Sequence, residues 1–133
     1  MQRSLVLYLV TLAVLVGLDV LYLAVFAKGF FQAQVGDMMG DVRPVPAVLF
    51  YLVYVAGVLI FVSGPAAATT RSTLLHGALF GLFCYATFEL TSLAMLKHWT
   101  WSVAVVDMSW GVIVTAISAS AGLAVANWTA PRA

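Results

Sequence analysis

Charged side chains make up only 8% of the 133 residues, six of them basic and five acidic, against about a quarter in an ordinary soluble domain. So few cannot clothe a water-facing surface, which excludes a soluble globule. The net charge of +1, with no Lys/Arg block and no acidic tail, gives none of the field that nucleic acid requires. A single cysteine, Cys84, excludes an intrachain disulfide and a thiolate metal cage, each of which needs at least two. The two histidines, His76 and His98, are isolated. No Gly-rich phosphate loop precedes a helix and no GxSxG elbow occurs. The chain is therefore expected to hold no metal and no cofactor, and no nucleic acid.

Apolar residues reach 64% and the mean hydropathy is +1.08. A membrane-crossing helix needs roughly 17 to 25 mostly apolar residues, and the chain divides into four such runs, at about 4–27, 45–64, 72–96 and 101–127. Barrel strands would instead be ~10 residues of alternating polarity. The breaks are short, so neighbouring spans run antiparallel. The expected fold is all-α, one integral membrane domain over 1–133 built as a four-helix bundle of two hairpins. Lys28, Asp37, Asp41, Arg43 and two prolines fall in the first linker, Arg71 after a Gly-Pro-Ala turn, and Lys97-His98-Trp99 in the third connection.

Arg3, an apolar run and the Val25-Phe26-Ala27 end outline a signal peptide, but the run is too long for one and contains Asp19. It is expected to stay as the first span. Four spans put both termini on one side. The positive-inside count ties, with Arg3, Arg71 and Arg132 against Lys28, Arg43 and Lys97. The expectation of a bacterial inner-membrane protein with cytoplasmic termini rests on what is common for even-span proteins. At an offset of 70, five of twenty positions match between 19–38 and 89–108, among them Asp37 with Asp107, and Asp19 falls on Glu89. A duplicated hairpin would leave that trace.

An ionised carboxylate inside a bilayer costs several kcal/mol, so Asp19, Glu89 and Asp107 each need an account. Asp19 and Glu89 lie about eight residues, roughly 12 Å at 1.5 Å per residue, from the ends of the first and third runs. Asp107 lies about six residues into the fourth, and all three are counted from the same side. The three acids thus share one depth. On the third run Tyr85, Glu89 and Ser92 share a helical face, and on the fourth Asp107, Trp110 and Gly111 do. Tyr22 follows Asp19 at i+3, while Tyr51 and Tyr54 reach the same level on the second run. A bundle that turns these faces inward encloses a polar pocket rimmed by tyrosines and acids, open toward the Lys28/Lys97 side.

The plainer alternative makes the acids hydrogen-bonded glue between helices. Tyr8, Trp99, Trp101 and Trp128 read as interfacial anchors, His76 as an interfacial histidine, Cys84 as a small packing residue, and Lys28 and Lys97 as snorkelling to the headgroups.

The segments LDVLYLAVFAKGFFQAQVG, AVLFYLVYVAG, GALFGLFCYATFELTSLA and VVDMSWG together resemble the small bacterial four-span membrane proteins grouped as DUF2177, over nearly the whole chain. Where the family form reads YATYDLTN, residues 85–92 read YATFELTS, so Glu89 replaces Asp, Phe88 replaces Tyr and Ser92 replaces Asn. The resemblance implies a four-span architecture and the motif positions Asp19, Tyr85, Thr87, Glu89, Thr91, Asp107, Trp110 and Gly111, without an activity. Three functions stay open. One is binding or proton-linked transport of a small or amphiphilic ligand, with a homo-oligomer giving the room that a thin bundle lacks. The second is an accessory subunit whose acids only pair helices. The third is a membrane enzyme using Glu89 or Asp107 as general acid/base on a lipid-like substrate.

Overall fold

The computed structural model of the protein describes residues 2–40 and 43–131. The linker acid Asp41 and the terminal Arg132 lie outside the described residues. Four helices account for nearly everything else: α1 (Gln2–Met38), α2 (Pro44–Ser63), α3 (Thr70–Met95) and α4 (Trp101–Thr129). Among the described residues there is no strand. Each helix is long and apolar enough to cross a bilayer. Outward-facing side chains such as Val25, 77% exposed, and Val53, 70% exposed, are apolar, and a surface of that kind calls for lipid rather than water. Trp101 and Trp128, at the two ends of α4, are both exposed, as interfacial anchors are.

Local chemistry sets the helix ends. Pro44 and Pro46 open α2, in the first turn where a missing N–H costs nothing. Thr69 caps α3 by accepting from the Ser72 amide at 3.1 Å, while the Ser72 hydroxyl accepts from the Thr69 amide at 2.8 Å. Thr100 caps α4 by accepting from the Val103 amide at 3.2 Å. Two π-helical turns interrupt the regular spiral, Leu23–Ala27 in α1 and Leu59–Ser63 in α2.

The first helix departs from the sequence reading. Its apolar run ends near Ala27, but α1 continues through Lys28–Val35 and a last 3-10 turn at Gly36–Met38, so Lys28 and Asp37 are helical rather than linker residues. No proline lies between Ala27 and Met38 to break the ladder. The extension crosses the α3–α4 connection, where the Thr100 hydroxyl donates to Gln34 at 3.2 Å and His98 stands 3.8 Å from Asp37. The two acids matched at the offset of 70 stand differently: Asp37 is exposed, 3.8 Å from His98, whereas Asp107 is buried within α4.

Helix α4 is the centre of the bundle. It meets α3 through small residues: a Cβ on Gly81 would run into the Gly111 carbonyl, and one on Gly77 would lie 3.1 Å from the Ala116 Cα. It meets α1 where Gly122 makes room for Thr11, and Arg3 ties the far ends together through Asn127 at 2.6 Å and the Ala130 carbonyl at 3.0 Å. Helix α2 behaves differently. Its second half is buried through Val55, Val58 and Val62, but its first half packs little against the backbones of α3 and α4. Around its middle it is spaced off by long side chains: Tyr54 reaches Thr115 on α4, and the Phe80 ring lies against Gly57.

Candidate functional site

The faces that carry the three acids converge. Asp19 ends the buried stripe Leu7, Thr11, Leu15, Asp19 on α1, a four-residue repeat that keeps one face toward α4. Both of its oxygens are used: Oδ2 accepts from the Tyr51 hydroxyl at 2.8 Å and Oδ1 from the Trp110 indole at 2.7 Å. One carboxylate thus joins α1, α2 and α4. The Trp110 ring is in turn stacked on Tyr22, with centroids 4.3 Å apart and planes 4° from parallel.

Glu89 is wholly buried. Its Oε1 accepts from the Trp99 indole at 2.7 Å, while Oε2 meets no donor other than the Asp107 carboxyl. Trp99 was expected to anchor at the interface. Its indole N–H turns in to Glu89 while the ring stays partly exposed, and its neighbours His98 and Thr100 meet Asp37 and Gln34 of the α1 extension. Asp107, another acid, is set against Glu89, its carboxyl within hydrogen-bond reach. The Tyr22 hydroxyl, buried and without a partner, faces the same three carboxyls. Among the described residues no Lys, Arg or His side chain lies within ion-pair distance of any of the three, and no group of three His, Cys, Asp and Glu side chains is arranged to hold a metal ion.

Aromatic rings build the surrounding wall. Tyr54 is buried and shares a hydrogen bond with Thr115 at 2.7 Å, and Tyr85 meets it edge-on at 6.1 Å. Gly111 is required beneath Tyr85, since a Cβ there would overlap the ring. Between these groups and the first half of α2 lies a cavity of about 600 Å³. Asp19, Tyr22, Asp107 and Trp110 form its inner end, and Ala47, Phe50, Cys84 and Phe88 lie along its apolar sides. The exposed lining residues are Leu23 on α1, Pro46 and Phe50 on α2 and Phe88 on α3. The opening is therefore sideways, into the hydrocarbon layer. An opening toward Lys28 and Lys97 was expected; neither lysine lines the cavity, but the exposed Pro46, in the first turn of α2 on that side, does.

Not every motif residue joins this site. Thr87 and Thr91 are exposed, two positions either side of Glu89 and so roughly 200° around the helix from it; Thr87 bonds back to the Phe83 carbonyl at 2.6 Å. Ser92 is buried but bonds back to the Phe88 carbonyl at 2.9 Å. Tyr51 serves through Asp19 and does not line the cavity. Tyr8, expected at the interface, donates to the Leu52 carbonyl at 2.8 Å and so links α1 to α2.

A model of the family described as a predicted membrane protein, DUF2177, matches residues 4–124. The chain belongs to the DUF2177 family. The match runs through all four helices and so takes in both the acids and the cavity. No curated protein and no solved structure matches the chain. Membership in DUF2177 thus supports a multi-pass membrane protein and carries no activity with it.

Proposed function

We propose that the protein binds a small amphiphile dissolved in the membrane, its polar end against Asp107 and the Tyr22 hydroxyl and its apolar part between α2 and α3. The observation that carries this reading is the cavity of about 600 Å³, apolar along its sides, acidic at its inner end and open to lipid. Its size falls within the ~300–1,000 Å³ of small-molecule sites, which pair apolar walls with a few placed polar groups. Helix glue accounts well for Asp19, whose oxygens are both bonded. It accounts less well for Glu89 Oε2, which meets another acid, Asp107, and no other donor among the described residues. Glu89 does not line the cavity, so Asp107 is the carboxyl of that pair that a ligand can meet.

The test is native mass spectrometry of protein extracted from membranes. The wild type should carry a retained amphiphile that Ala47→Trp, which fills the cavity from α2, does not. Equal retention by the two proteins, or none by either, would reject the reading.

A second observation favours proton-linked passage. In the half of the bundle nearer the termini, Thr11, Ser63, Thr73 and Ser118 hold buried hydroxyls without partners. On α4, Asp107, Gly111, Thr115, Ser118 and Gly122 share one buried face. Polar groups therefore continue from the acids for roughly 17 Å along that helix, at 1.5 Å per residue.

A further inference from the structure

We infer that the polar end of the occupant is an organic cation, an alkyl-chain ammonium, which deepens the amphiphile reading and rests on it. Asp19, Glu89 and Asp107 are 7%, 0% and 9% exposed, and no base lies near them. Among the described residues the acid that does have a basic partner is Asp37, far outside, on His98. Buried carboxylates call for compensation by opposite charge, and here the protein supplies none. Two further facts point the uncompensated charge at a ligand. Asp107 faces the cavity, and the side chain within hydrogen-bond reach of it is another acid, Glu89. Behind it, Glu89 Oε2 is fully buried and meets no donor other than the Asp107 carboxyl.

Each alternative head group fits less well. An anionic head would be driven against three acids in a low dielectric. A neutral hydroxyl could satisfy one oxygen and would leave the rest of the charge as it was. An ammonium compensates the pair directly, and it would also lie among the rings of Tyr54, Tyr85 and Phe88, whose faces attract cations. Its alkyl chain then follows the apolar walls to the lateral opening. When the cleft is empty, protons fill the same role, so cation and proton are alternative occupants of the Glu89–Asp107 pair.

The test uses the full chain in phosphatidylcholine nanodiscs, with protein-free discs subtracting partition into lipid. Three probes share one tail: dodecyltrimethylammonium, dodecanol and dodecyl phosphate, each titrated calorimetrically below its micelle concentration. The ammonium should bind at least tenfold more tightly than the other two, and Asp107→Asn should remove at least tenfold of that preference. Equal binding of all three, or preference for the phosphate, would overturn the cationic head while leaving the cleft reading intact. No saturable binding of any probe would count against both. The head-group comparison is made within the wild type, so the outcome stands even if Asp107→Asn fails to fold. Ala47→Trp, which leaves the acids untouched, should abolish binding of the ammonium through loss of room for the tail.

Discussion

The bond from Trp99 to Glu89 offers the sharpest check on how the site is held. Trp99→Phe removes the indole N–H that Glu89 Oε1 accepts at 2.7 Å and leaves a fully buried carboxyl with only another acid, Asp107, to meet it. Orphaning a buried acceptor costs about 1–3 kcal/mol, more when the group is charged. Trp99→Phe also loses ring area, including part of the edge contact with Phe88 at 6.3 Å, so the single variant mixes two losses. A double-mutant cycle with Glu89→Met separates them, because the packing loss is common to both backgrounds. In the Glu89→Met background, with no carboxyl to satisfy, Trp99→Phe should cost only the packing share, and the coupling should come to about 1–3 kcal/mol. Glu89→Met alone should be mild or even stabilising, as replacements of buried charge by apolar groups often are. The assay is reversible unfolding by sodium dodecyl sulfate in mixed micelles, followed by circular dichroism. Coupling below about 0.5 kcal/mol, the level at which independent sites add, would refute the claim that Trp99 holds Glu89.

Two further predictions concern packing and the proton reading. Gly81→Ala drives a Cβ into the Gly111 carbonyl, a backbone atom that cannot rotate away, so it should separate α3 from α4 and cost about 1–3 kcal/mol as overpacking does. Gly17→Ala meets nothing within 4 Å and should be neutral or gain up to about 1 kcal/mol from helix propensity; the same unfolding assay ranks the two, and equal effects would contradict the packing described. For proton passage, proteoliposomes under an imposed membrane potential should acidify faster than protein-free vesicles by a trapped pH dye. That excess should vanish in Asp107→Asn and fall in Thr115→Val. Rates equal to those of protein-free vesicles would dismiss the second reading.

The four apolar helices and the common level of the acids are legible in the sequence because both follow from counting: hydropathy marks the runs, and 1.5 Å per residue converts spacing into depth. The inward direction of Asp19, Glu89 and Asp107 follows from i, i+4 neighbours such as Tyr85 and Gly111. The length of α1 does not follow in this way. Hydropathy reports the solvent around a helix and not the state of its backbone, so the polar but helix-compatible stretch after Ala27 reads as linker. The inward turn of the Trp99 N–H is hidden for a related reason, since its neighbours His98 and Thr100 meet Asp37 and Gln34 of that unforeseen extension. Thr87 and Thr91 enter through motif membership, which carries no information about helix face; the offset of two from Glu89 is what turns them outward. The lateral opening depends on the lean of α2, which no local pattern encodes.

That lean connects the acids to the cleft. Where two helices meet through glycine, as α3 and α4 do at Gly81 and Gly111, the backbones touch and no space remains between them. The first half of α2 is held by tyrosines instead, with Tyr51 on Asp19 and Tyr54 on Thr115. A tyrosine that must place its hydroxyl on a partner holds its own backbone a full side chain away from it. The bonds that satisfy Asp19 therefore also keep α2 at the distance that leaves a cavity beside Asp107. Asp19, with both oxygens bonded, fixes the width of the cleft, and this is why it belongs at the edge of a site whose open acid is Asp107.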